Sequence, residues 1–146
     1  MSAIRTDRKD VIRQLVQTHA IRTQGELMEL LSERGFEVTQ ATVSRDMASL
    51  GLQKDAGGVY VTAELLHLRT VMRAQVRDVR RAVNQVVIIS GPGAAQGVAA
   101  AIDAVQPQGV LGTLAGDDTV LVITQDGACG REFQELCEQL AGLPSV

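Results

Sequence analysis

The residues best suited to chemistry are three carboxylates and one amide in the second half of the chain. Gln96, Ala100 and Asp103 recur at i, i+4 and i+7, so a helix places them on one stripe, opposite an apolar stripe of Val98, Ile102 and Val105. Further on, Leu111-Gly-Thr-Leu-Ala-Gly-Asp-Asp-Thr119 turns through the adjacent Asp117 and Asp118. Paired carboxylates bind divalent cations such as Mg²⁺. They also pair with the fork of an arginine guanidinium, which lysine cannot reproduce. Adjacent aspartates at a turn usually just face water. Against a metal, no further cluster of oxygen ligands lies within sequence reach. No phosphate loop or nucleophile–base constellation accompanies the turn either. Pro92-Gly-Ala-Ala-Gln96 opens the helix, and its free N–H groups favour a carboxylate. Three carboxylates, one amide and helix-terminal amides together suit a small zwitterion with an extra cationic arm.

A second constellation lies upstream, in TQATVSRDMASL from Thr39 to Leu50, followed by Gly51. Val43, Met47 and Leu50 recur at i, i+4 and i+7, the apolar stripe of a short helix. At about 100° per residue, Arg45 points away from that stripe, flanked by Ala41, Thr42, Ser44, Ala48 and Ser49. Thr39 suits the N-cap, and Gly51 stands where a left-handed C′ residue is wanted. An ordinary solvated helix can look like this. So can a helix that enters a DNA major groove, where arginine pairs with guanine O6 and N7 and methyl groups touch thymine.

The flanking elements favour the second reading. Thr6 to His19 reads as a helix with Ile12, Leu15, Val16 and His19 on its inner face. Thr23-Gln-Gly-Glu26 is a capping box opening a second helix, with a stripe of Leu27, Leu30 and Leu31 and a stop at Gly35. Phe36 to Val38 is a short connection. Helix, helix, connection, helix is the helix-turn-helix order, with the third helix as reader. Leu52 to Val61 alternates around Asp55-Ala-Gly57-Gly58, a hairpin placed as a wing, where Lys54 and the tip amides can touch phosphate. The DNA-facing set is Gln40, Thr42, Ser44, Arg45, Ser49 and Lys54.

Composition narrows the classes. The chain has 146 residues, 45% of them hydrophobic, which allows one domain or two small ones. Three aromatics, Phe36, Tyr60 and Phe133, are too few for stacking on unpaired bases. No apolar run reaches membrane-spanning length and the N-terminus lacks a signal-peptide core, so a cytoplasmic protein without membrane contact is expected. Cys129 and Cys137 lack metal spacing and read as free thiols. His19 and His67 are isolated, more suited to core or surface than to a ligand role. Lys and Arg outnumber Asp and Glu 13 to 10 over residues 1–81, whereas residues 82–146 hold 1 against 7. The first half is therefore only mildly basic and needs several copies for useful DNA affinity. The acidic second half suits a cationic ligand.

Strands are expected at Val76–Val83, Val86–Ser90, Gly109–Ala115 and Thr119–Thr124. Helices are expected at Gly93–Ala104 and Arg131–Leu140, the latter with Phe133, Leu136, Cys137 and Leu140 facing inward. The fold class is α+β. Residues 1–62 form a winged helix-turn-helix and 63–75 a linker of partial helical character. Residues 76–146 form a four-stranded, mainly antiparallel sheet with two helices on one face.

TQATVSRD at Thr39–Asp46, PGAAQ at Pro92–Gln96 and GTLAGDDT at Gly112–Thr119 resemble, in order and spacing, the signature segments of the bacterial arginine repressor family. The resemblance covers essentially the whole chain. It implies a C-terminal domain forming trimers that stack into a hexamer, L-arginine bound between the trimers, and AT-rich palindromic operators beside arginine metabolic genes. Ser44 and Arg45 resemble the base-reading pair. Gln96, Asp103, Thr113, Ala115, Asp117 and Asp118 resemble the arginine pocket, with Asp117 and Asp118 reaching ligands from facing subunits. The expectation is a regulator, not an enzyme, with L-arginine as effector and no cofactor or metal. Alternatives are a different amino-acid effector, mainly activating output, or a metal-dependent enzyme using Asp103, Asp117 and Asp118.

Overall fold

The computed structural model describes residues 7–145. The chain divides into two compact units, Met1–Leu66 and His67–Val146. In the first, helix α1 (Arg8–Thr18) starts at Asp7, whose carboxylate accepts from the Lys9 N–H at 3.1 Å. Its inner face is Val11, Ile12, Leu15 and Val16. Thr6, the expected start, lies outside the described residues. His19 is not on the inner face: the backbone is already extended there, so helical periodicity no longer applies and the ring is exposed. Ile21 fills the core instead.

Helix α2 (Gln24–Glu33) is capped by Thr23, which accepts from the Glu26 N–H at 3.1 Å. The reciprocal half of the expected capping box is displaced by one residue, because Glu26 accepts from the Arg22 N–H at 2.9 Å. Leu27 and Leu31 are fully buried and Leu30 half-buried. Helix α3 (Gln40–Ser49) begins at the Thr39 cap and seats Val43 and Met47 in the same core. It ends where Gly51 turns left-handed at φ 65°, its N–H donating to the Ala48 carbonyl. Strands β1 (Gln53–Lys54) and β2 (Tyr60–Val61) pair antiparallel as the wing. The three helices and this hairpin make a winged helix-turn-helix.

Helix α4 (Ala63–Gln75) is a complete helix of 13 residues rather than a partly helical linker. Thr62 starts it by accepting from the Leu65 N–H, and Leu65, Leu68 and Met72 are buried along it.

The second unit is a four-stranded sheet of β3 (Val76–Ala82), β4 (Gln85–Ser90), β5 (Val110–Ala115) and β6 (Thr119–Thr124). The order is β3-β4-β6-β5, and every neighbouring pair is antiparallel. Period-two alternation sends Val86, Ile88, Val120 and Val122 to one buried face. Helices α5 (Ala95–Val105) and α6 (Gly127–Ala141) supply buried Val98, Ile102, Val105, Phe133 and Cys137. Val87, Leu121 and Leu114, paired in register, lie on the opposite face, and Leu114 is 72% exposed.

Several bounds differ from expectation for local reasons. Val83 is not in a strand but in the β3–β4 turn, at φ 55° and largely exposed. Helix α5 starts two residues late because Gly93 is left-handed, at φ 74°. Gly109, at φ 81°, likewise falls before β5. Helix α6 starts four residues early because Asp126 caps it, accepting from the Cys129 N–H at 2.8 Å. Its inner face holds Phe133 and Cys137 with Gly130, Glu138 and Ala141, while Leu136 and Leu140 are only half-buried. Gly130 permits this seat: a Cβ there would lie 2.4 Å from the Val83 carbonyl oxygen.

Candidate functional site

The outer face of α3 is built by its inner one. Because Val43 and Met47 are held in the core, Ser44 and Arg45 are exposed. Gln40 is exposed at the start of the helix, where its amide meets that of Gln24 at 3.4 Å. Thr42 is half-exposed, with its hydroxyl 3.0 Å from that of Thr39. Ser49 is exposed and accepts from the Lys9 ammonium at 2.8 Å. Lys54, on the wing, places its ammonium over the Tyr60 ring, 5.2 Å from the centroid.

Sequence reasoning missed the pairing that fixes α3. Asp46 is buried at 5% exposure, and Arg8 reaches its carboxylate with both Nε and Nη2. The signal was there: Asp46 is three residues after Val43, which turns it toward the protein. The hydrogen bond to Asp46 raises the pKa of Arg8, so its charge is held more firmly than usual. Arg8 and Lys9 at the head of α1 therefore grip α3 at Asp46 and Ser49. Arg22 was also missed; its guanidinium donates to the Gly57 carbonyl at the wing tip.

In the second unit the sequence-selected residues gather where α5 meets β5 and the β5–β6 turn. Gln96 donates to the Ala115 carbonyl at 3.2 Å, and the Thr113 hydroxyl donates to Asp103 at 2.8 Å. The main chain of the Asp117–Asp118 turn is anchored at both residues. The Asp117 carbonyl accepts from the Ala95 N–H at 3.1 Å, and the Asp118 carbonyl accepts from the Ser90 N–H at 2.7 Å. Gly116 closes the turn by donating to the Thr119 carbonyl. Both Asp side chains are exposed, with Asp118 accepting from the Thr119 hydroxyl at 2.9 Å. Gln96 and Asp103 are exposed as well, while Thr113 and Ala115 are half-buried. The result is an anchored turn with two exposed carboxylates and a third, Asp103, further along α5, a surface that can pair a cation but does not enclose one. Among the described residues, no three His, Cys, Asp or Glu side chains converge as metal ligands would.

Cys129 and Cys137 are free thiols. The hydrogen bond to Asp126 pushes the Cys129 thiol up, and burial does the same for Cys137, so neither is poised as a thiolate. His67 is exposed. No helix of the described residues is long and apolar enough to cross a membrane.

A winged helix-turn-helix with an outward arginine, followed by an α/β unit with an open acidic cluster, describes a ligand-responsive DNA-binding protein. Comparison with known proteins narrows this. Residues 3–61 match the family model described as arginine repressor, DNA binding domain, and residues 72–139 match arginine repressor, C-terminal domain. The arginine repressor of Carboxydothermus hydrogenoformans is 45% identical over 130 residues, covering 82% of this chain and 87% of that protein. That of Thermus thermophilus is 40% identical over 152 residues, covering 95% and 90%. That of Acidobacterium capsulatum is 39% identical over 144 residues, covering 93% and 97%. The chain belongs to the arginine repressor family.

Proposed function

We propose that this protein is a transcriptional repressor of arginine metabolic genes whose DNA affinity is set by L-arginine. Residues 1–62 are the reading domain and residues 76–146 the effector and assembly domain, joined through 63–75. The observation that carries the reading is the alignment of Gln96, Asp103, Thr113, Ala115, Asp117 and Asp118 along the edge where α5 runs beside β5 and the β5–β6 turn. The carboxylates pair the guanidinium and ammonium groups of arginine. Because the cluster is open on a single chain, ligand bound there is completed by a facing subunit. A trimer stacked on a second trimer supplies that subunit. The sheet face bearing Leu114, Leu121 and Val87 supports self-association, since exposed apolar area of this kind marks interfaces.

On the DNA side, Arg45 and Ser44 read base edges in the major groove of an AT-rich palindrome. Gln40, Thr42, Ser49 and Lys54 flank them. Residues 1–81 are only mildly basic, so affinity comes from several reading heads acting together. Arginine fixes the spacing of those heads. By linkage, DNA then tightens arginine binding by the same factor.

Gel shifts on a palindromic AT-rich duplex, with and without L-arginine, test this directly. Arginine is expected to strengthen the shift, and a shift indifferent to arginine would sink the effector role. Titration with Mg²⁺ is expected to give no binding that Asp103, Asp117 or Asp118 substitution removes. Tight Mg²⁺ binding lost in those variants would favour a metal-dependent activity instead.

A further inference from the structure

The wing is too short to carry much by itself, with two residues in each strand. It is fastened at two points to the segment just before α2. The Tyr60 N–H donates to the Ile21 carbonyl at 2.8 Å. At the tip, Arg22 Nη1 donates to the Gly57 carbonyl at 2.5 Å, and a Cβ added at Gly58 would lie 3.8 Å from the same Nη1. The tip itself is held by Asp55, whose carboxylate accepts from the N–H groups of Gly57 and Val59. The contact between Gln24 and Gln40 sets the start of α2 beside the start of α3. Arg22, two residues before Gln24, therefore stands on the edge of the domain that presents the head of the reading helix.

We propose that Arg22 is a DNA-phosphate contact of this domain and at the same time the latch of the wing. This rests on the DNA-binding reading above. A guanidinium has five N–H donors in a rigid fork, and only one is spent on Gly57. Among the described residues no carboxylate pairs with the Arg22 side chain: Glu26 is engaged by the backbone N–H of Arg22 instead. Elsewhere in this unit Arg8 is spent on Asp46 and Arg13 on Asp10. Lys54, the wing cation expected to touch phosphate, has its ammonium over Tyr60. Among the described residues of this unit, Arg22 alone combines exposure, unspent donors and a fixed position against the wing tip. A guanidinium tethered to main chain at the margin of the domain meets a phosphate rather than a base edge, and so contributes affinity without sequence preference.

The test uses the full chain with arginine present. Wild type, Arg22→Gln and Arg22→Lys are titrated against a duplex that the wild type selects from a random library and against an unrelated duplex. Salt is varied between about 50 and 200 mM, a range over which phosphate contacts are read as a slope. The expected result is that Arg22→Gln weakens both duplexes by the same factor, on the order of tenfold. Its log–log salt slope should be shallower by about 0.9 per engaged reading head, while Arg22→Lys keeps the wild-type slope. Unchanged affinity in Arg22→Gln would overturn the proposal. So would a loss with unchanged slope, which assigns Arg22 to the latch alone, or a loss confined to the selected duplex. A wild type that selects no duplex would remove the DNA-binding reading itself, an outcome separate from any behaviour of the variants.

Discussion

Arg45 and the Asp117–Asp118 pair are the side chains whose loss is most diagnostic. Arg45 is exposed and opposite the core stripe, so Arg45→Ala is expected to leave folding intact. Sequence-specific affinity should fall by about 1–3 kcal/mol per reading head if the guanidinium forks onto guanine. Non-specific binding at low salt should change less, and normal protection of an operator by the variant in footprinting would remove α3 as the reader. At the other site, Asp117→Asn or Asp118→Asn removes a charge from a turn whose main-chain bonds do not involve that carboxylate. Calorimetric titration should then show a steep loss of arginine binding with a nearly unchanged melting temperature. Citrulline, close in shape but uncharged at its end, should bind the wild type far more weakly than arginine, and lysine weakly for want of a fork. Equal affinity for citrulline would contradict carboxylate pairing.

Element positions depend on two features of α6. A Cβ at Gly130 would meet the backbone oxygen of Val83 at 2.4 Å, and the Asn84 Cα and Thr124 Oγ1 each at 3.3 Å, so its nearest neighbour is main chain rather than a side chain that can swing aside. Gly130→Ala should force α6 away from the β3–β4 turn and cost about 1–3 kcal/mol, as overpacking does, read from denaturant midpoints. A midpoint equal to that of the wild type would mean the turn adapts freely. Asp126, the cap of α6, has its pKa lowered chiefly by the backbone N–H of Cys129. A depressed carboxylate favours the folded state when ionised. That contribution is present above its unfolded value and lost as pH falls through the lower folded one. Asparagine caps nearly as well but does not titrate. The stability gap between wild type and Asp126→Asn should therefore hold at neutral pH and shrink as pH falls below the ordinary carboxylate range.

For the molecule as a whole, the separation of reading and sensing is the main consequence. Residues 1–81 have a small positive excess, and residues 82–146 hold a single cation against seven acids. If individual heads are weak, a fragment of residues 1–68 should bind a selected operator much more weakly than the full chain. It should also ignore arginine, since every carboxylate of the acidic cluster lies beyond it. Equal affinity of fragment and full chain in gel shifts would contradict multivalent binding.

Much of this was legible from residue order because the signals are local. Val43, Met47 and Leu50 at helical spacing, the Thr39 and Thr23 caps and the Gly51 stop each act within a turn or two, and the helices formed accordingly. Alternation in Val86–Ser90 and Thr119–Thr124 likewise set which side chains face the helices. Errors fell where one residue overrode a pattern: the left-handed Gly93, the turn at Val83, the Asp126 cap. What only tertiary structure decided were the pairings between distant segments. No periodicity links Arg8 to Asp46, 38 residues away, or Arg22 to Gly57, 35 residues away. Strand order β3-β4-β6-β5 similarly brings Thr113 against Asp103 and Gln96 against the Ala115 carbonyl. Local sequence specifies which elements form and which way they face; contacts across the fold arise only once apolar faces have chosen their mates, because burial is non-directional until packing makes it specific.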